Sequence, residues 1–351
     1  MHVLCFGAGA IGSLVGARLS ESGVAVTLLA RRDHVAAIRT RGLIIETPRA
    51  RTVYKNVDSI TALDDLTGRR PDLILLTVKA YHTPAALETL RPLLLDPAAI
   101  VSLQNGVGNE ELIAAAVGIP RTIAATITIS ASRPRPGVVR QHTMVGGIGI
   151  APLDPNRDAT DLVGLFHGSG FRALPYHEYR PMKWSKLLLN LFTNATSAIL
   201  DMPPLAVIED PRLFEVERGA LREARRVMRA LEVRPVGLPG YPVPLLQAVL
   251  GAPRWLVRPL VRRLVRRGRG EQMTSLWRDL HRGRPESEVE VLNGAVAREG
   301  ARLGVETPIN TALTEALRGF AAGRLNPAEF LGRPDALLAL MAHTRSDDRA
   351  R

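Results

Sequence analysis

The sequence predicts an α/β fold in which a doubly wound parallel sheet forms the N-terminal domain and an all-α domain follows. Three observations indicate this class: apolar strands alternate with helical segments, a glycine-rich turn follows the first strand, and helix-like segments dominate beyond Tyr176–Pro181. Such alternation is typical of parallel sheets with helices on both faces. We predict domains at 1–177 and 178–345, the second with an inserted basic segment at about 235–270.

Four apolar strands define the predicted first domain. HVLCFG and VAVTLLA flank the helix SLVGARLSES, which Gly23 ends. PDLILLTV and AAIVSLQN flank a helical segment around Pro84–Leu94. Their continuous apolar runs indicate strands that are buried on both faces. Extended segments at 122–133 and 137–151, around a Pro-Gly turn, complete the domain.

The turn GAGAIG, Gly7 to Gly12, matches G-x-G-x-x-G between an apolar strand and a helix, the context in which this pattern is specific. Gly7 permits the tight turn, Gly9 lets the backbone approach a pyrophosphate, and Gly12 allows close helix–strand packing. The helix N-terminus offers unpaired N–H groups to the phosphates. A Rossmann dinucleotide site is therefore predicted, with a glycine turn that binds no ligand as the alternative.

The end of the second strand distinguishes between the two nicotinamide dinucleotides. NAD-binding domains usually have an acid there, whereas this chain reads LLARRDH. A guanidinium matches a 2′-phosphate, so we predict NADP(H), with Arg31 as the phosphate ligand and Arg32 as its alternative. A register shifted by one residue would restore an acid, Asp33, at this position.

Two polar residues follow later strands: Lys79 after PDLILLTV and Asn105 at the end of AAIVSLQN. In doubly wound sheets, ligands bind in the crevice at the carboxyl ends of the strands. Each residue alone is compatible with an ordinary polar loop, but their shared location predicts that both line the crevice.

KWSKLLLNLFTN, residues 183–194, is predicted to be the first long helix of the C-terminal domain. At 100° per residue, Lys186, Asn190, Asn194 and Ser197 fall on one face of an otherwise apolar helix. Stripes that face solvent usually carry charge, so a stripe rich in amides indicates a site. The alternative is a polar stripe that simply faces solvent.

Lysine is scarce in this chain, and its placement is informative. Only Lys55, Lys79, Lys183 and Lys186 are Lys among 46 Lys+Arg residues. Burial can lower the pKa of a lysine until it releases a proton, whereas Arg effectively cannot release one. Lys186 is therefore the predicted general acid. Lys183 lies off the polar face and has no predicted role.

The composition is that of a soluble globular protein, with 46% hydrophobic and 23% charged residues. A net charge of +12 could suit nucleic acid, but 4% aromatic residues leave little material for base stacking, and we expect no nucleic-acid partner. The single cysteine, Cys5, excludes an internal disulfide framework. We find no signal peptide, membrane-spanning run or metal site and expect a cytoplasmic protein.

The basic segment carries seven arginines and no acid between Arg254 and Arg269. Its Pro-rich start and amphipathic continuation predict an inserted helical hairpin with a solvated arginine face. Contact of residues 254–269 with a membrane surface, or with a partner protein, is the alternative.

In order along nearly the whole chain, the motifs resemble those of the ketopantoate reductases (2-dehydropantoate 2-reductases). The resemblance rests on GAGAIG, VKA near 79, QNG near 105, K-x-x-K-x-x-x-N-x-x-x-N near 186, and S-x-x-x-D followed by E-V-E-x-L-N-G. It implies reduction of the 2-keto acid ketopantoate to pantoate by NADPH, a step of pantothenate biosynthesis, and at family level a homodimer.

The resemblance also implies roles for single residues. Lys186 would protonate the substrate's carbonyl oxygen, Ser275 would hold its carboxylate, and Glu288 would lie near the nicotinamide ribose and substrate. The spacing from Asp279 to Glu288 is one residue longer than the family pattern, so Glu286 and Glu290 stay as alternatives. The full predicted set is Lys186 and Glu288 (catalytic), Asn105, Asn190, Asn194 and Ser275 (substrate), and Gly7, Ala8, Gly9, Ala10, Ile11, Gly12, Arg31, Lys79, Asn105, Ala131 and Glu288 (cofactor).

Two other functions fit the same motifs. One is a related NADP-dependent reductase or dehydrogenase of another 2-keto or hydroxy acid. The other is a non-catalytic NADP(H)-binding protein.

Overall fold

The protein is described by a computed structural model that covers residues 1–66, 70–94, 98–268, 272–282 and 286–350. The chain forms two compact units, Met1–Lys183 with Gly237–Tyr241, and Trp184–Val236 with Pro242–Arg351. The predicted fold class is confirmed, because the first unit holds a mostly parallel sheet and the second is helical. The division falls inside a helix that begins at Tyr179, because the first residues of this helix pack with the first unit.

The first unit is built from twelve strands and five helices in its described residues. Its strands are β1 (His2–Phe6), β2 (Ala25–Leu29), β3 (Leu43–Glu46), β4 (Arg51–Tyr54), β5 (Asp58–Ile60), β6 (Leu73–Leu76), β7 (Ala99–Ser102), β8 (Thr122–Ile127), β9 (Ala131–Arg135), β10 (Val138–Gln141), β11 (Ile148–Pro152) and β12 (Ala173–Pro175). Its helices are α1 (Ala10–Glu21), α2 (Arg32–Arg41), α3 (Thr83–Leu90), α4 (Asn109–Val117) and α5 (Thr160–Gly168).

The main sheet has the order β12-β11-β8-β7-β6-β1-β2-β5. Its strand pairs are parallel except β8 with β11. From β1 the chain builds outward to β2 and β5, then returns to place β6 on the other side of β1. The carboxyl ends of β1 and β6 therefore flank the point where the strand order reverses, which is where doubly wound sheets bind ligands.

Both faces of the main sheet are covered, as the apolar strand sequences predict. Along β1, Val3 and Cys5 join one core with residues of α1 and α5, while Leu4 and Phe6 join the opposite core with residues of α3 and α4. Burial raises the pKa of the Cys5 thiol to about 12, so this cysteine is a packing residue rather than a nucleophile.

A second sheet with the order β4-β3-β10-β9 was not predicted from the sequence. It consists of the hairpins β3–β4 and β9–β10, joined by parallel pairing of β3 with β10. The predicted Pro-Gly turn connects β9 to β10, and Gly137 adopts φ +76° there, a conformation that favours glycine.

The second unit is helical over its described residues. Apart from the start of α6, which lies in the first unit, it contains α6 (Tyr179–Leu191), α7 (Asn194–Leu200), α8 (Pro204–Glu209), α9 (Pro211–Ala230), α10 (Val243–Gly251), α11 (Arg254–Gly268), α12 (Ser275–Leu280), α13 (Asn293–Leu303), α14 (Pro308–Ala321) and α15 (Pro334–Ala350). No helix among the described residues has the length and apolar composition that crossing a bilayer requires.

The basic segment forms the two successive helices α10 and α11. Val257 and Val261 of α11 are buried against Ile208 and Phe214. On the neighbouring face, the Arg262 guanidinium donates to the Glu209 carboxylate at 2.7 Å. The arginines of α11 therefore include at least one that binds the body of the unit rather than facing solvent alone. The last part of the basic segment, 269–270, lies outside the described residues.

The predicted single helix over 183–194 is wrong at its end. α6 stops at Leu191, Thr193 is left-handed at φ +62°, and Asn194 starts α7. The Thr193 N–H donates to the Glu217 carboxylate of α9 at 2.6 Å, a contact that a continuous helix would not allow. Glu217 is 2% exposed, and burial raises the pKa of its carboxyl to about 7, against the Thr193 hydrogen bond that lowers it.

The pH dependence of stability tests the burial of Glu217. Because the pKa rises from 4.5 in the unfolded chain to about 7 in the folded one, the folded state binds more protons between these values. The contribution of Glu217 to the free energy of unfolding therefore falls by about 3 kcal/mol as the pH rises from 4.5 to 7. Urea unfolding of wild type and Glu217→Gln at pH 5 and pH 8 measures this difference, since glutamine keeps an acceptor for Thr193 but does not titrate.

A wild-type-minus-Glu217→Gln difference that is the same at both pH values would contradict the assignment.

Candidate active site

The turn between β1 and α1 packs closely on the end of β6. A Cβ at Gly7, where φ is +89°, would lie 2.4 Å from Val78 Cγ1, and a Cβ at Gly12 would lie 2.4 Å from Thr77 Oγ1. By contrast, the nearest atom to a Cβ at Gly9 is 3.8 Å away. Gly7 and Gly12 are thus required by packing within the protein, whereas Gly9 leaves its side open for a ligand to approach the backbone.

A buried polar network lies behind this turn, and the sequence analysis did not identify it. The Ser13 hydroxyl donates to the Ala8 carbonyl at 3.2 Å and lies 3.0 Å from His34 Nε2. The Gly137 N–H donates to His34 Nδ1 at 2.8 Å, so the neutral ring carries its proton on Nε2 and donates to Ser13. Burial lowers the pKa of His34 to about 4, which keeps the ring neutral. The network fixes the carbonyl of the turn's second residue.

The connection from β2 to α2 settles which residues follow the strand directly. β2 ends at Leu29, Arg31 is extended with ψ 150° as the N-cap of α2, and Arg32 is the first residue of the helix. Arg31 and Arg32 are both exposed. Asp33 lies within the first helical turn, 3.8 Å from the Arg133 guanidinium. Arg31 therefore lies two residues after the end of β2, and Asp33 lies four residues after it.

Lys79 and Asn105 follow β6 and β7, which are neighbours in the sheet. Both side chains are half-buried. The Asn105 carbonyl accepts a hydrogen bond from Asn109 Nδ2 at 3.0 Å. Ala131, the first residue of β9, packs with Ala10 and Ile11 against the core on the α1 side of the sheet. The first unit thus brings the glycine turn, Lys79 and Asn105 to adjoining strand ends.

In the second unit, Lys186 and Asn190 lie one turn apart on α6, and both are half-buried. Asn194 is 5% exposed at the start of α7 and contacts the beginning of α12. Its Nδ2 donates to Ser275 Oγ at 3.3 Å, and its Oδ1 accepts from the Leu276 N–H at 3.2 Å. The break at Thr193 therefore joins Asn194 and Ser275, which are far apart in the sequence.

The three glutamates that the sequence left open have different environments. Glu288 is 3% exposed. The Glu290 carboxylate accepts two hydrogen bonds from Arg318, at 2.6 and 2.5 Å, while Glu286 is exposed. Of the three, Glu288 is the buried one, and this burial favours Glu288 for the predicted role.

Comparisons with known proteins agree with this arrangement. A family model described as ketopantoate reductase PanE/ApbA matches residues 3–155, and the C-terminal model of the same family matches residues 178–321. A 2-dehydropantoate 2-reductase of Pyrococcus horikoshii is 30% identical over 311 residues, which cover 88% of this chain and 94% of the relative.

Two solved structures are similar over nearly the whole chain. A PanE/ApbA family ketopantoate reductase from Ralstonia eutropha JMP134 has a TM-score of 0.77 at 30% identity, covering 92% of this chain and 99% of that one. D-mandelate dehydrogenase, solved with NADH and anilino(oxo)acetate, has a TM-score of 0.79 with the same coverage of both chains, but at 23% identity it shows the fold alone. The two family models span both units, and the chain therefore belongs to the ketopantoate reductase family, whose members are oxidoreductases that depend on a pyridine nucleotide.

Proposed function

We propose that this protein reduces 2-dehydropantoate (ketopantoate) to pantoate with NADPH. The observation that carries the proposal is the 30% identity over 88% of the chain to a protein named 2-dehydropantoate 2-reductase. The open space beside Gly9 and the position of Arg31 shortly after the end of β2 support the proposal that NADPH is the cofactor. The partly buried Lys186 and the Asn194–Ser275 pair support the keto-acid substrate.

NADPH, when bound, supplies the hydride that reduces the keto carbon. The glycine turn and the N-terminus of α1 bind its pyrophosphate, and Arg31 binds the 2′-phosphate. Lys79 and Asn105 complete the cofactor site at the ends of β6 and β7. The cofactor set also takes in Ala8, Ala10, Ile11 and Ala131.

The protein itself provides the proton that the carbonyl oxygen receives. Lys186 gives one proton from its ammonium group to the carbonyl oxygen as the keto carbon is reduced, which prevents a full alkoxide charge from forming. Asn190 and Asn194 hold the oxygens of the keto acid, and Ser275 holds its carboxylate. Glu288 orients the Lys186 ammonium, since a carboxylate is the natural acceptor for it.

The substrate is tested by steady-state turnover with ketopantoate and a panel of other 2-keto acids. The proposal expects a kcat/KM for ketopantoate in the ordinary enzyme range, roughly 10⁴–10⁸ M⁻¹s⁻¹. Preference for another 2-keto acid by orders of magnitude would reassign the substrate within the family. Dinucleotide binding with no turnover on the whole panel would favour a non-catalytic protein. A cytoplasmic location and a homodimer stay predictions from the sequence.

Replacing Lys186 tests the proton donor. Lys186→Ala should lower kcat by about 10²–10⁴-fold, the usual contribution of a general acid, while the dissociation constant of NADPH changes little. Lys186→Arg should not restore turnover, because arginine keeps the charge but does not release its proton.

Lys55→Ala, at an exposed lysine, is the matched control and should behave as wild type. Wild-type kcat in Lys186→Arg would show that Lys186 acts only through its charge.

Replacing Arg31 and Arg32 separately tests the cofactor preference. Arg31→Ala should lower kcat/KM for NADPH by about 10–100-fold, the value of hydrogen bonds to a charged group, and leave kcat/KM for NADH nearly unchanged. Arg32→Ala serves as the neighbouring control with a smaller effect. Equal use of NADPH and NADH by wild type, or a larger loss in Arg32→Ala, would refute the assignment to Arg31.

A further inference from the structure

Lys183, the lysine without a predicted role, is held in the interior of the first unit. Its side chain is 2% exposed, and its Nζ lies 2.8 Å from Oε1 of Glu110, which is 1% exposed. The same ammonium donates to the carbonyl oxygens of Gln104 at 2.7 Å and Ala125 at 3.4 Å. Three oxygen atoms, from α4, β8 and the segment after β7, thus surround the Lys183 ammonium.

This site suits lysine better than arginine. A lysine ammonium is a compact charge with three donors that can point in different directions, whereas a guanidinium is planar and matches a single flat acceptor such as a carboxylate. In a chain with four Lys among 46 Lys+Arg residues, the three-way arrangement of acceptors explains why a lysine stands here.

Stability alone does not account for the pair. The desolvation cost of a buried ion pair often equals or exceeds its electrostatic attraction, and well-packed apolar residues often stabilise a fold equally well in its place. The role of the Lys183 ammonium therefore depends on which parts of the backbone its contacts hold in place.

The contacts of Lys183 hold the backbone of two adjoining loops, which follow β6 and β7. The carbonyl that Lys183 holds belongs to Gln104, the residue directly before Asn105. The side chain of Gln104 donates in turn to the carbonyl of Val78, the residue directly before Lys79, at 3.0 Å, and to Thr83 Oγ1 at 2.8 Å. One continuous chain of contacts thus runs from Lys183 through Gln104 to the loops that carry Asn105 and Lys79.

We infer that Lys183 is a positioning residue for the cofactor crevice: through Gln104 it sets the backbone from which Asn105 and Lys79 reach the dinucleotide and the keto acid. The inference rests on the proposed function in that it takes Asn105 and Lys79 as ligands. The first turn of α6 is also tied to α4 by the Tyr179 hydroxyl, which donates to Glu111 at 2.9 Å. Lys183 therefore acts on the loops and is not needed merely to attach its own helix.

Two variants break the chain of contacts at different links. Lys183→Met alone would leave the Glu110 carboxylate buried without its partner, so the variant to use is Lys183→Met with Glu110→Met, which replaces the ion pair by an apolar pair. Gln104→Leu leaves the ion pair intact and removes the side-chain links of Gln104 to Val78 and Thr83. Tyr179→Phe removes a different α6–α4 contact, the hydrogen bond to Glu111, and is the matched control.

The first readout is the dissociation constant of the dinucleotide, measured by fluorescence without keto acid. The second is the split of turnover into kcat and KM. We expect both broken-link variants to raise the dissociation constant tenfold or more. In the double variant the keto-acid KM should rise similarly, while kcat falls less because Lys186 is unchanged. A merely structural role would lower kcat through a smaller active fraction and leave KM and the dissociation constant as in wild type.

Values within twofold of wild type in Gln104→Leu, or in a folded double variant, would overturn the inference, as would an equal effect of Tyr179→Phe. If the double variant does not fold, Gln104→Leu decides alone. If wild type binds a dinucleotide but does not reduce ketopantoate, the proposed substrate fails, and the dissociation constants still decide the role of Lys183.

Discussion

The close approach of the glycine turn to the end of β6 is the constraint on which the first unit depends. Gly7 and Gly12 have no room for a side chain because Val78 and Thr77 occupy that space. This contact exists because β6 returns to pair with β1 at the point where the strand order reverses. Once the turn is held there, the N-terminus of α1 and the loops after β6 and β7 share one edge of the sheet, and a dinucleotide site follows from the topology.

The second unit brings together polar residues that are distant in the sequence. A straight helix through 183–194 would align Asn194 with Lys186 and Asn190 on one face. The left-handed Thr193, held by Glu217, ends the helix and starts another that brings Asn194 to Ser275. This connection requires the buried carboxylate of Glu217 and the positive φ of Thr193, both of which are energetically unfavourable. Local strain of this kind is found at functional sites.

The sequence predicted the features that depend on local pattern. Apolar runs predicted the strands of the main sheet, and the glycine spacing in its strand–helix context predicted the turn. The same sequence did not reveal contacts between distant segments. The pairing of β3 with β10, the stop at Thr193 and the network of Ser13 with His34 each need a partner about 20 or more residues away. No periodicity within one segment signals such a partner.

The candidate site shows the same division. Lys186 and Asn190 were predicted because they repeat at helical spacing and because lysine is scarce in this chain. The environments of Glu286, Glu288 and Glu290 differ in burial and in contact with Arg318, and no sequence spacing reveals these differences. Lys183 was set aside because it lies off the polar face of its helix. In the structure, the side chain of Lys183 is buried in the interior of the first unit because it lies off that face. Its acceptors there come from three separate elements.

The buried carboxyl of Glu217 also has a calorimetric consequence. With its pKa near 7 in the folded protein, this group is largely protonated at pH 6, whereas in the unfolded chain it is ionised. Unfolding at that pH therefore releases close to one proton from this side chain into the buffer. The heat absorbed on unfolding then depends on the ionisation enthalpy of the buffer through the net proton change, to which His34 contributes an uptake. The difference in that dependence between wild type and Glu217→Gln therefore counts the proton of Glu217, because the other groups titrate alike in both proteins.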